Sequence, residues 1–343
     1  MRRSFAIVLL SVALAAPAAA SSAPTPQVLR EPSPLVRGEE FSRRLLSPLA
    51  AEDVHRFLQA GGRRLAPEAF VPGADAVDLY VPAKAPPGGY GLLVFIPPAD
   101  EFPLPRDWHA ALEKRGLVVA MPRKAGNDAD VIGRRIPLAL HAHHHATTNF
   151  AIDPARVYVG GFSGGARLAQ RIAIAWPDVF RGSLQFAGSV VVGENLLPPP
   201  PRELLDPARR RSRFVLVSGS LDLPNRRNDA EARARLESLC FAGVRGFGPP
   251  RLDHWVPDGR AFAKALDQLE SPVPADADDA CASRLDAEVA QALDAVEAQL
   301  AHGDADGARN ALTQLDDRFG GLAAPRSHEL ARRIMAALPE NAD

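Results

Sequence analysis

Short apolar runs alternate with stretches of helical period through the middle of the chain. Val77 to Val81 is a brief strand-like run. Leu92-Leu93-Val94-Phe95-Ile96 is continuously apolar and stops at Pro97-Pro98, as a strand buried on both faces requires. Trp108 to Arg115 has helical spacing, Leu117 to Met121 reads as the next strand, and residues 131–149 as the next helix. Arg156 to Gly161, Leu184 to Ala187, Phe214 to Ser218 and Val244 to Phe247 continue the strands. Ala166 to Trp176 and Ala261 to Leu269 continue the helices. This alternation predicts an α/β fold, with a mostly parallel central sheet and helices on both faces.

The flanks read differently. Leu45, Leu46, Leu49, Val54, Phe57 and Leu58 recur at helical spacing across 39–60, and Gly61-Gly62 ends that segment. Residues 21–38, rich in Ser, Pro and Ala, are expected to be a flexible leader. Pro272 to Asp279 reads as a linker. Beyond it, Leu285, Val289, Leu293, Val296 and Leu300 form one apolar stripe. Ala308, Leu312 and Leu315 form a second, and Leu330, Ile334 and Leu338 a third. The expected organisation is therefore 1–20 signal peptide, 21–74 leader and N-terminal helix, 75–270 α/β domain, 271–279 linker and 280–343 helical appendage. The appendage is read as a packing element, with contact to a protein partner as the alternative.

Composition adds compartment and class. Hydrophobic residues make up 46% of the 343, enough for a sizeable core, and the formal net charge of −1 gives no reason to expect a nucleic-acid or anionic-membrane partner. Arg2 and Arg3, the apolar stretch Phe5 to Leu14 and the small residues Ala18-Ala19-Ala20 have the form of a cleaved export signal. That run is short of the roughly 20 residues a membrane span needs. The mature chain is expected without an integral membrane span, in the periplasm or secreted. Export permits a disulfide between Cys240 and Cys281, closing a loop of about 40 residues, and two separate buried thiols remain the alternative.

Val157-Tyr158-Val159-Gly160-Gly161-Phe162-Ser163-Gly164-Gly165 carries the chemistry. It is G-x-S-x-G placed after a strand and before a helix, where a sharp turn presents a serine hydroxyl above the sheet. Such a serine needs a base to take its proton and an acid to orient that base. Asp222 follows the Phe214 to Ser218 strand, and His254 stands in a loop before the last helix, so the order Ser, Asp, His fits. Asp253 and Asp229 are weaker candidates for the acid. For the oxyanion, one donor is expected from the N–H of Gly164 and the second from the loop after Ile96. Pro97 and Pro98 have no N–H, so Ala99 or Asp100 would have to supply it.

Ile152-Asp153-Pro154-Ala155-Arg156-Val157-Tyr158 leading into Gly161-Phe162-Ser163-Gly164-Gly165 resembles the polyhydroxybutyrate depolymerase and feruloyl esterase branch of the α/β-hydrolase superfamily. Trp176 to Gly182 and Asp253 to Pro257 share that likeness, which spans roughly 75–270. It implies an α/β-hydrolase fold, with nucleophile, acid and base at Ser163, Asp222 and His254. The Pro97-Pro98 loop departs from the branch's glycine-rich form. The expected activity is cleavage of a carboxylic ester through an acyl-enzyme, without metal or organic cofactor. A peptidase or amidase on the same triad and a non-catalytic binding scaffold are the rivals.

Three features are read as structural. His141, His143, His144 and His145 could offer a metal pair at four-residue spacing, but are taken as a partly solvated helix face. Arg209 to Arg213 is taken as solvated. Pro198 to Pro201 is a stiff insertion that either borders the substrate cleft or simply connects.

Overall fold

The computed structural model describes residues 24–51, 67–194, 197–273 and 279–338. One sheet holds β1 (Thr25–Val28), β2 (Ala76–Tyr80), β3 (Tyr90–Ile96), β4 (Leu117–Pro122), β5 (Ile152–Phe162), β6 (Gly182–Phe186), β7 (Arg213–Val217) and β8 (Val244–Phe247). Their spatial order is β1-β2-β4-β3-β5-β6-β7-β8. β1 and β2 are antiparallel to their neighbours, and β3 to β8 run parallel. An antiparallel edge, the β4/β3 inversion and a parallel run beyond it make this the α/β-hydrolase fold.

The helices are α1 (Gly38–Leu45), α2 (His109–Arg115), α3 (Ile136–Asn149), α4 (Gly164–Ala175), α5 (Arg202–Arg211), α6 (Leu223–Ser238), α7 (Gly259–Glu270), α8 (Asp279–Ala301), α9 (Ala305–Phe319) and α10 (Arg326–Ala337). They cover both faces of the sheet because its strands present apolar residues to both sides. Leu93, Phe95, Val119 and Val217 pack with Trp108, Phe262 and Leu266 on one face. Leu92, Val94, Val118 and Val159 pack with α3 and α4 on the other. The Trp108 ring stacks on Phe262 at 3.9 Å, and its Nε1–H donates to the Pro257 carbonyl (2.8 Å), which ties down the end of the loop carrying His254. Among the described residues, no helix is long and apolar enough to cross a membrane.

Several expectations are corrected. Thr25–Val28, placed in the flexible leader, pairs with β2 as the sheet's edge strand. Its sequence has no apolar alternation; main-chain pairing with β2 and a side-chain contact from Gln27 to His145 recruit it, and an edge tolerates Pro26. The helix expected over 39–60 ends at Leu45, and helical turns resume only at 48. Between them, buried Ser47 donates its hydroxyl to Asp316 of α9. Val54, Phe57 and Leu58 lie outside the described residues. Arg209, in the run read as solvated, is buried and donates to the Leu239 carbonyl (2.9 Å) and to Asp206 (2.8 Å).

The C-terminal helices share the main core. Leu285, Val289, Leu293, Leu312, Leu315, Leu330 and Ile334 belong to the apolar cluster that also contains α3 and α4 residues. Cys240, at the end of α6, is disulfide-bonded to Cys281 of α8. In the chain-entropy model a loop of this length is worth about 4 kcal/mol. Pro198 to Pro201 receives the tail: the Gly321 N–H donates to the Pro199 carbonyl at 3.0 Å.

The histidines of α3 hold the N-terminal segment. His141, read as part of a solvated face, is buried and accepts the Ser33 N–H at Nδ1 (2.9 Å). His145 Nε2 pairs with the Gln27 side chain (2.9 Å), and His143 packs edge-on against Phe180. Among the described residues no group of side chains is arranged to hold a metal ion. Burial pushes His141 and His143 each down to about 4. The unfolded chain therefore takes up protons near pH 6.5 that the native protein refuses until about pH 4, so stability is highest above pH 6.5 and is lost as pH falls toward 4. Burial raises Asp229 and Asp316, which titrate in the opposite sense, so the histidine share must be isolated by mutation. The Tm difference between pH 7.5 and pH 5.0 is expected to shrink by about 1–2 °C in His143→Gln, the equivalent of about 1 kcal/mol. Equal differences in the two proteins would contradict this.

Candidate active site

Ser163 sits where β5 hands over to α4. Its φ of 55° and ψ of −118° lie in a region that side chains other than glycine rarely occupy. The turn is enforced from several sides. The Ser163 N–H donates to the Phe186 carbonyl on β6 (2.8 Å), and the Ser163 carbonyl accepts from Ala166 and Arg167 as the helix begins. Glycines are obligatory around it: a Cβ on Gly161 would stand 2.4 Å from the Gly165 carbonyl carbon, and one on Gly165 would stand 2.0 Å from the Ile96 oxygen. β3, the elbow and α4 therefore approach backbone to backbone. The first N–H groups of α4 have no helical acceptor, and the Gly164 N–H is the one next to the hydroxyl.

The other two residues arrive from separate loops. His254 Nε2 is 3.0 Å from Ser163 Oγ, and His254 Nδ1 is 2.7 Å from Asp222 Oδ2. The loops are laced together before they reach the serine. Ser220 N–H donates to Pro249, Leu221 N–H to Leu252, and Arg251 N–H to the Ser220 hydroxyl. Asp222 is buried at the N-terminus of α6, while His254 is exposed. Burial pushes the Asp222 carboxyl up, but hydrogen bonds from His254 and Asn225 outweigh it and hold it below the usual carboxylate range. The Asp222 carboxyl is therefore ionised at neutral pH.

Asn225 is a residue that sequence reasoning missed. Its Nδ2–H₂ donates to both Asp222 oxygens (3.0 and 2.9 Å), and its Oδ1 accepts from Arg167 Nη2 at 3.4 Å. The signal was available: Asp222-Leu223-Pro224 is an N-cap followed by an early proline, which places residue 225 in the first turn, beside the cap. The weaker acid candidates lie elsewhere. Asp253 accepts the main-chain N–H of His254, and Asp229 accepts the Ser189 and Ser218 hydroxyls.

The loop after β3 is pinned to the segment after β4. Asn127 N–H donates to the Pro98 carbonyl (2.8 Å), Lys124 N–H to the Asp100 carbonyl (2.9 Å), and Gly126 N–H to Asp100 Oδ1 (3.2 Å). The Asp100 amide packs on Gly126, where a Cβ would meet its nitrogen at 3.0 Å. Buried Arg135 supports both segments, donating to the Ala125 carbonyl (2.8 Å) and the Pro97 carbonyl (3.4 Å). The loops that carry Asp222 and His254 expose large apolar side chains. Trp255, Leu221 and Leu223 are each more than half exposed, and Trp255 meets Phe102 at a tilt (6.1 Å) and Phe162 edge-on (5.5 Å). Phe102 also lines an open cleft of about 740 Å³ with Leu104, Met121 and His109.

No protein-family model matches the chain, and no curated protein does. Solved structures with a similar chain path include an S-formylglutathione hydrolase from Agrobacterium tumefaciens, 17% identical, covering 56% of this chain and 86% of that one, with a TM-score of 0.38. An S-formylglutathione hydrolase from Staphylococcus aureus is 13% identical over 57% of this chain and 90% of that one, at a TM-score of 0.41. A hyperthermophilic esterase from Pyrobaculum calidifontis is 15% identical over 57% of this chain and 79% of that one, at 0.42.

Proposed function

We propose that this chain is an exported serine hydrolase that cleaves a carboxylic ester through an acyl-enzyme. The observation that carries the reading is the unbroken chain of contacts from Ser163 Oγ through His254 to Asp222. His254 Nε2 accepts the Ser163 proton as Oγ attacks the ester carbonyl carbon. Asp222 accepts the Nδ1–H, fixing the tautomer that leaves Nε2 free. The Gly164 N–H stabilises the oxyanion, helped by the N-terminus of α4. His254 then returns the proton to the leaving alkoxide, and water repeats the sequence to release the acid.

The exposed rim of Trp255, Leu221 and Leu223 supports an ester with apolar substituents presented at an open surface. The residues Arg2 to Ala20 that carry the export expectation lie outside the described residues.

The test is pre-steady-state hydrolysis of p-nitrophenyl butyrate. A burst of p-nitrophenol equal to the enzyme concentration is expected, with a butyryl adduct on the Ser163 peptide by mass spectrometry. A folded protein that yields neither would leave the non-catalytic scaffold standing. Turnover of the matching anilide at a comparable rate would move the assignment to an amidase.

A further inference from the structure

The diproline after β3 removes two main-chain N–H groups from the place where a second oxyanion donor belongs. The next candidate but one, Asp100, has its amide packed against Gly126. What lies against the first donor residue instead is a side chain. A Cβ built on Gly164 would stand 2.1 Å from Asn127 Oδ1, 2.8 Å from Cγ and 3.1 Å from Nδ2. The Asn127 carboxamide thus fills the space that any other residue after the nucleophile would give to its own side chain. The absence of a side chain at 164 is what admits it.

The placement is not that of a loosely attached surface group. Asn127 N–H is bonded to the Pro98 carbonyl (2.8 Å), so its main chain is fixed to the diproline turn. That turn rests in turn on Arg135, a buried cation whose guanidinium is pushed down by burial and donates to the Ala125 and Pro97 carbonyls. Asn127 is nevertheless an exposed residue, so its side chain is accessible from solvent. An oxygen held 2.7–3.1 Å from the Gly164 N–H, as an oxyanion is, lies beside an amide pressed on the same residue. The amide needs only its NH₂ edge turned to that oxygen, an exchange of two atoms of nearly equal size.

We propose that the side-chain amide of Asn127 is the second oxyanion donor, replacing the main-chain N–H that Pro97 and Pro98 cannot supply. The proposal rests on Ser163 being the nucleophile. A side-chain donor on the segment after β4 makes transition-state stabilisation separable by mutation from the fold of the β3 loop, which a main-chain donor would not be.

The test is the kcat and KM of p-nitrophenyl butyrate hydrolysis by wild type, Asn127→Ala, Asn127→Asp and Ser163→Ala, with melting temperatures for each. Loss of one oxyanion donor costs about 100- to 1000-fold in kcat. Asn127→Ala is expected to fall in that range with KM within threefold and an unchanged melting temperature. Asn127→Asp, which sets a carboxylate beside the developing charge, is expected to fall further. Asn127→Ala retaining kcat within threefold, while Ser163→Ala is inactive, overturns the proposal and returns the role to the Ala99 N–H. Ser163→Ala as active as wild type overturns the nucleophile assignment and the proposal with it.

Discussion

Ser163→Ala is expected to lower kcat for ester hydrolysis by about a million-fold, the scale on which a nucleophile of an intact triad is lost. The geometry explains why nothing nearby can compensate. His254 Nε2 reaches Ser163 Oγ at 3.0 Å, and in the proposed reaction that oxygen is the atom that attacks the ester. No second hydroxyl is bonded to His254 among the described residues. The fold should be indifferent to the change: the strained φ of 55° is imposed by the close approach of β3, β5 and α4, and alanine keeps the same Cβ. A melting temperature equal to wild type, with loss of labelling by a fluorophosphonate probe, is the expected pair of results. Labelling that survives Ser163→Ala would place the nucleophile elsewhere.

Asp222→Asn is expected to cost about 10⁴-fold in kcat while preserving the structure. The cause is the tautomer. Asn225 Nδ2 already donates to both oxygens of residue 222. An asparagine there would give its one oxygen to Asn225 and turn its own NH₂ toward His254 Nδ1. That nitrogen would then accept, the ring proton would move to Nε2, and Nε2 could no longer take the serine proton. Titration of Ser163 with a fluorophosphonate should slow in proportion to kcat. An Asp222→Asn enzyme keeping a tenth of wild-type kcat would break this assignment. Asp253 would be a poor replacement, since it bonds the main chain of His254, and Asp229 is occupied by Ser189 and Ser218.

The site was legible to different depths. Ser163 could be singled out because the turn that holds it is a local structure: strand, small residues and helix start are contiguous. Asp222 and His254 could be ordered along the chain, but 91 residues separate His254 from Ser163, and their meeting depends on hydrogen bonds between the two loops. α6 went unread because only Asn225, Ala232 and Leu236 of its residues are buried, too few for a stripe. Its importance is positional, since its first turn holds both Asp222 and Asn225. The histidines of α3 misled for the opposite reason. Spacing put His141 and His145 on one face, but the segment that covers them is 108 and 118 residues away in sequence.

By itself, the sequence determined the alternation that makes a parallel sheet, the strand-to-helix turn at Ser163 and the order of the three residues, because each depends on local period or on small residues at fixed spacing. Tertiary structure decided what non-local hydrogen bonding and close packing decide. It brought Thr25–Val28 to the sheet edge, docked the C-terminal helices on Pro198 to Pro201, joined Cys240 to Cys281 and set Asn127 against Gly164. None of these leaves a periodic trace, since each is a contact between surfaces that exist only after the chain has folded.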